Sequence, residues 1–245
     1  MNIASLQKFL PLLLTSILFA PFDMTALGKR RPPPGGRVGI VVDERLSALR
    51  TTPEFSGKLL RRIGRGGLVA IRGEKRNRQG VAFYRVNVNR RTSGWLQRDA
   101  VVCAWRRGDD AGLLRLIKGS EDFDRITRAK IFLDNFKLSE FRREVLMIYA
   151  EAAEEAASRL SHDASRRLNE TELNAGAAPV FSYFLNFNGL DRYNRQGITF
   201  LFDDREKRFH YDGESWQEIV HRYPRSAEAA EARKRLASIS GPAPK

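Results

Sequence analysis

Few side chains in this sequence are equipped for covalent or acid–base chemistry. One cysteine, Cys103, and three histidines, His162, His210 and His221, are the natural places to look. A reactive cysteine must be held as thiolate by positive charge or a helix N-terminus. Cys103 stands instead in Ala100-Val101-Val102-Cys103-Ala104-Trp105, an apolar setting that raises a thiol pKa, so a buried, inert thiol is expected. None of the histidines has a second ligand at metal-binding spacing. Gly64-Arg65-Gly66-Gly67 has the glycine content of a phosphate loop but lacks the Lys-Ser/Thr that should follow it. It leads into a strand pattern, which offers no helix N-terminus to a phosphate, and so reads as a hairpin turn. Glu151, Glu154 and Glu155 fall on the polar face of an Ala-rich helical segment and read as solvated carboxylates. With no nucleophile beside a base, no acid–base pair and no metal cage, the expectation is a protein that is not an enzyme. No cofactor and no small-molecule substrate are expected either.

What remains is binding chemistry. Between Lys29 and Gly108 there are 20 Lys/Arg against 5 Asp/Glu, an excess of 15 positive charges. From Asp109 to Lys245 the counts are 22 and 23, so the net charge of +14 sits almost wholly in the first half. The densest basic points are the loop around Arg72 to Arg78 and the turn at Arg90-Arg91; Arg76, Arg78, Arg90 and Arg91 stand out there, with Phe83, Tyr84 and Trp95 between or beside them. These seven residues are the candidate ligand-binding set, suited to an anionic partner or surface.

The elements that must position them follow from periodicity. Leu46, Ala48 and Arg50 alternate with Ser47, Leu49 and Thr51 until Pro53 breaks the run. An apolar run (Leu68 to Ile71) and an alternating strand (Phe83 to Val88) follow, then Gly94-Trp95-Leu96 and Ala100-Val101-Val102. Val38 to Val42 is a further strand. This order resembles the bacterial SH3-like (SH3b) domain, with its Leu-x-x-Arg-x-x-Pro opening, G-x-x-V and W-Y-x-V strands and terminal G-W-V or G-W-L. Two departures stand out: the opening reads Leu46-Ser47-Ala48-Leu49-Arg50 with two threonines before Pro53, and Phe83 stands where Trp is usual. The resemblance implies a small SH3-like β-barrel over 38–106 that binds peptide, cell-wall material or a partner protein.

The second half changes period. Phe123, Ile126, Ala129, Phe132 or Leu133 and Phe136 recur at three and four residues, and Val145, Ile148, Tyr149, Ala152, Ala153, Ala156, Ala157 and Leu160 share one helical face. Asp134-Asn135-Phe136-Lys137-Leu138-Ser139 parallels His221-Arg222-Tyr223-Pro224-Arg225-Ser226, each with an aromatic helix end and a Ser placed to cap the next helix. The second copy resembles the helix–turn–helix units of tetratricopeptide-type (TPR) envelope proteins, so an α-helical TPR-like domain is expected over 109–240. Ile198 to Phe202 and Arg208 to Tyr211 flank Asp203-Asp204 and read equally as a hairpin or as helix ends packed on the helical array.

Residues 1–28 read as a secretory signal: Lys8, an apolar run from Phe9 to Phe22, then small Ala26 and Gly28 at the −3 and −1 positions. An inner-membrane anchor is the alternative. Residues 29–37 (Lys-Arg-Arg-Pro-Pro-Pro-Gly-Gly-Arg) form a Pro/Gly linker. A single cysteine rules out an internal disulfide, compatible with a bacterial periplasm. The expectation is thus an α+β multidomain binding or scaffold protein of the cell envelope, its partners an envelope protein and an anionic surface. A non-catalytic targeting subunit of a wall hydrolase is the nearest alternative. Nucleic acid becomes the partner only if the N-terminus is no export signal.

Overall fold

The computed structural model describes residues 33, 35–168 and 170–239. The expected signal segment, its anchor alternative and most of the linker lie outside them. Among the described residues no helix is long and apolar enough to cross a membrane.

Seven strands form the first half: β1 (Arg37–Val41), β2 (Ala48–Arg50), β3 (Leu59–Arg62), β4 (Leu68–Arg76), β5 (Ala82–Asn87), β6 (Ser93–Gln97) and β7 (Val101–Val102). They make one antiparallel sheet in the order β3-β2-β6-β5-β4-β1-β7. Alternation in the sequence becomes two faces in space. Tyr84 and Val86 of β5 join Val41, Leu49, Ile63, Val69, Leu96 and Val101 in an inner core, while Arg85 points outward. Register shifts at Leu49/Arg50 and Ile71/Gly73 bend the sheet around that core. Gly94 allows β6 to approach β2, since a Cβ there would lie 2.7 Å from the Arg50 carbonyl oxygen.

The expected closed barrel is not formed. β3 and β7 are the two edges of the sheet and do not pair with each other. The physical reason is length: β7 has two residues, spent on pairing with β1, before the chain turns into the first helix.

The second half contains α1 (Asp109–Lys118), α2 (Asp122–Asn135), α3 (Arg142–Arg167), α4 (Glu170–Ala175), α5 (Val180–Leu185) and α6 (Asp191–Asn194). The hairpin β8 (Leu201–Asp203) and β9 (Arg208–His210) follows, then α7 (Glu214–Arg222) and α8 (Ala227–Ile239). The whole is α+β. The apolar stripes expected from spacing become α2 and α3, packed on each other through Ile126, Ala129, Phe132, Val145, Ala153 and Ala156. Of the two readings of 198–211, hairpin or helix ends, the hairpin is formed: β8–β9, its turn held by the Asp203 carboxylate, which accepts from the amides of Arg205 and Glu206.

Two local expectations need correction. Ser226 does cap α8, accepting from the Ala229 amide at 3.2 Å, but Ser139 does not cap α3. Its hydroxyl donates to Asp110 at 2.7 Å, tying the α2–α3 connection to α1. Glu154 is likewise no free surface carboxylate. It accepts from the indole of the fully buried Trp216 at 2.7 Å and from Arg235 at 3.1 Å, joining α3 to α7 and α8.

The change in period near residue 108 coincides with Gly108 (φ +83°), which starts α1, yet the apolar core runs across it. Ile40, Val42 and Val102 of the sheet lie in one cluster with Leu113, Ile126 and Phe132 of the helices. Two buried arginines add polar ties. Arg65 donates to Asp124 (2.7 Å) and Thr127 (2.9 Å), and Arg128 to the Val42 carbonyl (3.1 Å) and Ser120 (2.6 Å).

Candidate ligand-binding face

The seven residues singled out by sequence do not form one site. Arg76 and Arg78 lie at the β4–β5 turn, where Arg76 donates to the Gly80 carbonyl at 2.8 Å. Arg90 and Arg91 lie at the β5–β6 turn, at the other end of β5, about 17 Å away at the usual strand rise. Their charges therefore act on opposite ends of the sheet. Phe83 is only 1% exposed, on the outer face and against Phe55 (ring centroids 5.6 Å apart). Trp95 is half-buried on the same face with the Arg85 guanidinium 5.7 Å from its ring. Only Tyr84 reaches a concavity with further basic groups.

That concavity, about 660 Å³, lies where β1, β4 and β5 meet the segment after β7. Arg37, Arg72, Arg98 and Arg106 line it, with Trp105 and Tyr84 as its aromatic walls and Glu74 as its one acidic residue. β4 and β5 carry Arg72 and Tyr84, and β1 delivers Arg37 to stack over Trp105 at 5.0 Å. Trp105 is 44% exposed and fixed by its indole N–H, which donates to the Val38 carbonyl at 2.9 Å.

Arg106 sets the floor. It donates to Asp109, to the Tyr84 hydroxyl and, at 2.9 Å, to the Val101 carbonyl. Asp109 also accepts from the Cys103 amide at 2.7 Å, so one carboxylate fixes both the guanidinium and the end of β7. Burial pushes the Asp109 carboxyl up, an effect that its bonds to Arg106 and the Cys103 amide only partly offset. Burial raises the Tyr84 hydroxyl too, so it stays protonated and polar without charge. Arg98 is shared with Glu74 at 3.3 Å, whereas Arg37 and Arg72 form no ion pair among the described residues. Two uncompensated guanidiniums beside an exposed indole suit a carboxylate or phosphate oxygen, which accepts charge-assisted bonds from a planar fork.

Cys103 is fully buried with its thiol pushed up to about 12 by burial, so it supplies no thiolate at neutral pH. His162 and His210 share a larger cleft, about 710 Å³, between α3, β9 and α8. Its charges are mixed: Arg235 bridges Glu154 there, and His210 lies 3.6 Å from Glu206. Among the described residues no three His, Cys, Asp or Glu side chains gather to hold a metal ion. Arg65, in the expected glycine turn, is buried against α2 and belongs to the fold.

Arg37, Trp105 and Arg106 were not among the residues singled out from sequence. The available signal was Trp105-Arg106-Arg107, an aromatic and two cations directly after the last strand. Compared with known proteins, the chain matches no protein family, no curated protein and no solved structure.

Proposed function

We propose that this chain is an exported, non-enzymatic binding protein of the bacterial cell envelope. The basic sheet holds an anionic ligand such as wall carboxylate, acidic peptide or anionic surface, and the helical half holds a protein partner. The observation that carries this reading is the convergence of Arg37, Arg72, Arg98 and Arg106 on exposed Trp105, where Glu74 pairs with Arg98 and Asp109 with Arg106 while Arg37 and Arg72 have no carboxylate partner among the described residues. An SH3-like reading of the sheet is supported by the strand sequence, although the sheet is open. A TPR-like reading of the helical half is supported by two helix pairs, α2 with α3 and α7 with α8, joined where α3 packs on α7. Export rests on the pattern of residues 1–28.

The test is co-sedimentation of the protein with insoluble peptidoglycan. Arg72→Glu with Arg98→Glu should reduce the bound fraction at least tenfold, because two attractive contacts become repulsive. Arg76→Glu with Arg78→Glu, at the distant turn, should change it less than twofold. Equal loss in both double variants would mean diffuse charge and no defined site.

A further inference from the structure

The outer edge of β3 is a second surface, separate from the Trp105 concavity. β3 pairs with β2 on one side and is the edge of the sheet on the other. All four of its residues are exposed, with Leu59 at 47% and Leu60 at 43%, and the exposed ring of Phe55 lies just before them. An edge strand presents a row of backbone donors and acceptors to any chain that can pair with it. Natural edges are blunted by charge, and β3 carries Arg61 and Arg62, with Lys58 beside them. No carboxylate occurs anywhere from Phe55 to Gly73. That charge selects the occupant. A second copy pairing through β3 would bring Lys58, Arg61 and Arg62 of both strands together with no carboxylate among them, whereas a carboxylate opposite each arginine stabilises a cross-strand pair.

We infer that β3 accepts an extended acidic peptide segment of a protein partner as an eighth strand. The four positions read apolar, apolar, basic, basic, so the complementary strand carries two apolar residues next to two carboxylates. Backbone pairing supplies the attachment, and the arginines set the specificity. The Ile63 amide donates inward to the Ser47 carbonyl at 3.2 Å, so by strand alternation the Arg62 amide faces the open side.

The probe is a fluorescent decapeptide containing Thr-Glu-Glu-Val-Val-Thr, titrated against the full chain by anisotropy, with Lys-Lys in place of Glu-Glu as control. The acidic peptide should bind and slow hydrogen exchange at the Arg62 amide, and the basic one should not. Arg62→Pro should weaken binding about tenfold beyond Arg62→Ala, the effect of losing one backbone donor. Should the proline variant misfold, Arg61→Glu with Arg62→Glu keeps the backbone and should invert the preference toward the lysine peptide. Equal binding of both peptides to the unaltered protein would overturn the inference, as would unchanged exchange at Arg62. Peptide binding lost on Arg72→Glu with Arg98→Glu but kept in the β3 variants would assign it to the Trp105 concavity. Dimerisation through β3, seen by sedimentation, would replace the acidic segment with a second copy.

Discussion

Arginine takes two roles in this protein, and the fate of each guanidinium decides which. Arg65 and Arg128 are buried and donate to Asp124, Thr127, Ser120 and the Val42 carbonyl, although Arg65 Nε is buried without a partner among the described residues. Each such bond contributes roughly 1 kcal/mol net, more where the partner is charged. Arg37 and Arg72 keep their charge available at the surface. Sequence could not separate the two groups, because Arg65 sits in a glycine turn and Arg128 follows the apolar spacing of α2 as closely as half-buried Arg125 does. Cys103 was legible, since its neighbours are all apolar. Its folded pKa of about 12 lies above the ordinary value of 9.0. The raised value contributes stability that is fully present below pH 9 and lost as pH climbs from 9 towards 12. The native protein should therefore resist iodoacetamide at pH 8.5 and react only once unfolded by denaturant. Rapid labelling of the folded protein would show an accessible thiolate.

At the scale of elements, the strands of the first half and the two long helices were readable because their burial follows a simple period. β3 was not read as a separate strand, because Leu59-Leu60-Arg61-Arg62 is exposed throughout and has no apolar/polar alternation. Closure failed to follow from pattern for a different reason: whether edges meet depends on strand length and register, which periodicity does not encode. Gly94 shows how tightly β2 and β6 are set. Gly94→Ala places a methyl 2.7 Å from the Arg50 carbonyl oxygen and 2.9 Å from Leu49, so the strands must move apart. Overpacking of this kind costs about 1–3 kcal/mol. Urea unfolding should report a loss in that range, and an unchanged midpoint would mean that the strands are looser than described. The candidate site was least legible: the turn arginines are prominent in sequence but spread along β5, while Trp105 and Arg37 are distant in sequence and stacked in space.

The whole molecule joins a basic sheet and a near-neutral helical half through a shared core. Because the sheet also owns an inner core (Val41, Leu49, Val69, Val86, Leu96 and others), residues 36–110 alone should give a β-type circular dichroism spectrum and a cooperative melt. The midpoint should fall well below that of the full chain, since Ile40, Val42 and Val102 lose their helical partners. A non-cooperative melt would mean that the sheet depends on the helices to fold.

The central claim is that the Trp105 concavity binds anions through exposed guanidiniums. The most direct measurement is the affinity of the full chain for soluble peptidoglycan fragments as salt is raised, with and without Arg72→Glu plus Arg98→Glu. The Debye length falls from about 10 Å at 0.1 M to about 3 Å at 1 M, so affinity should drop steeply over that range. In the double variant, affinity should already be low at 0.1 M and change little with salt. Salt-insensitive binding, or binding equally strong in the variant, would contradict the account.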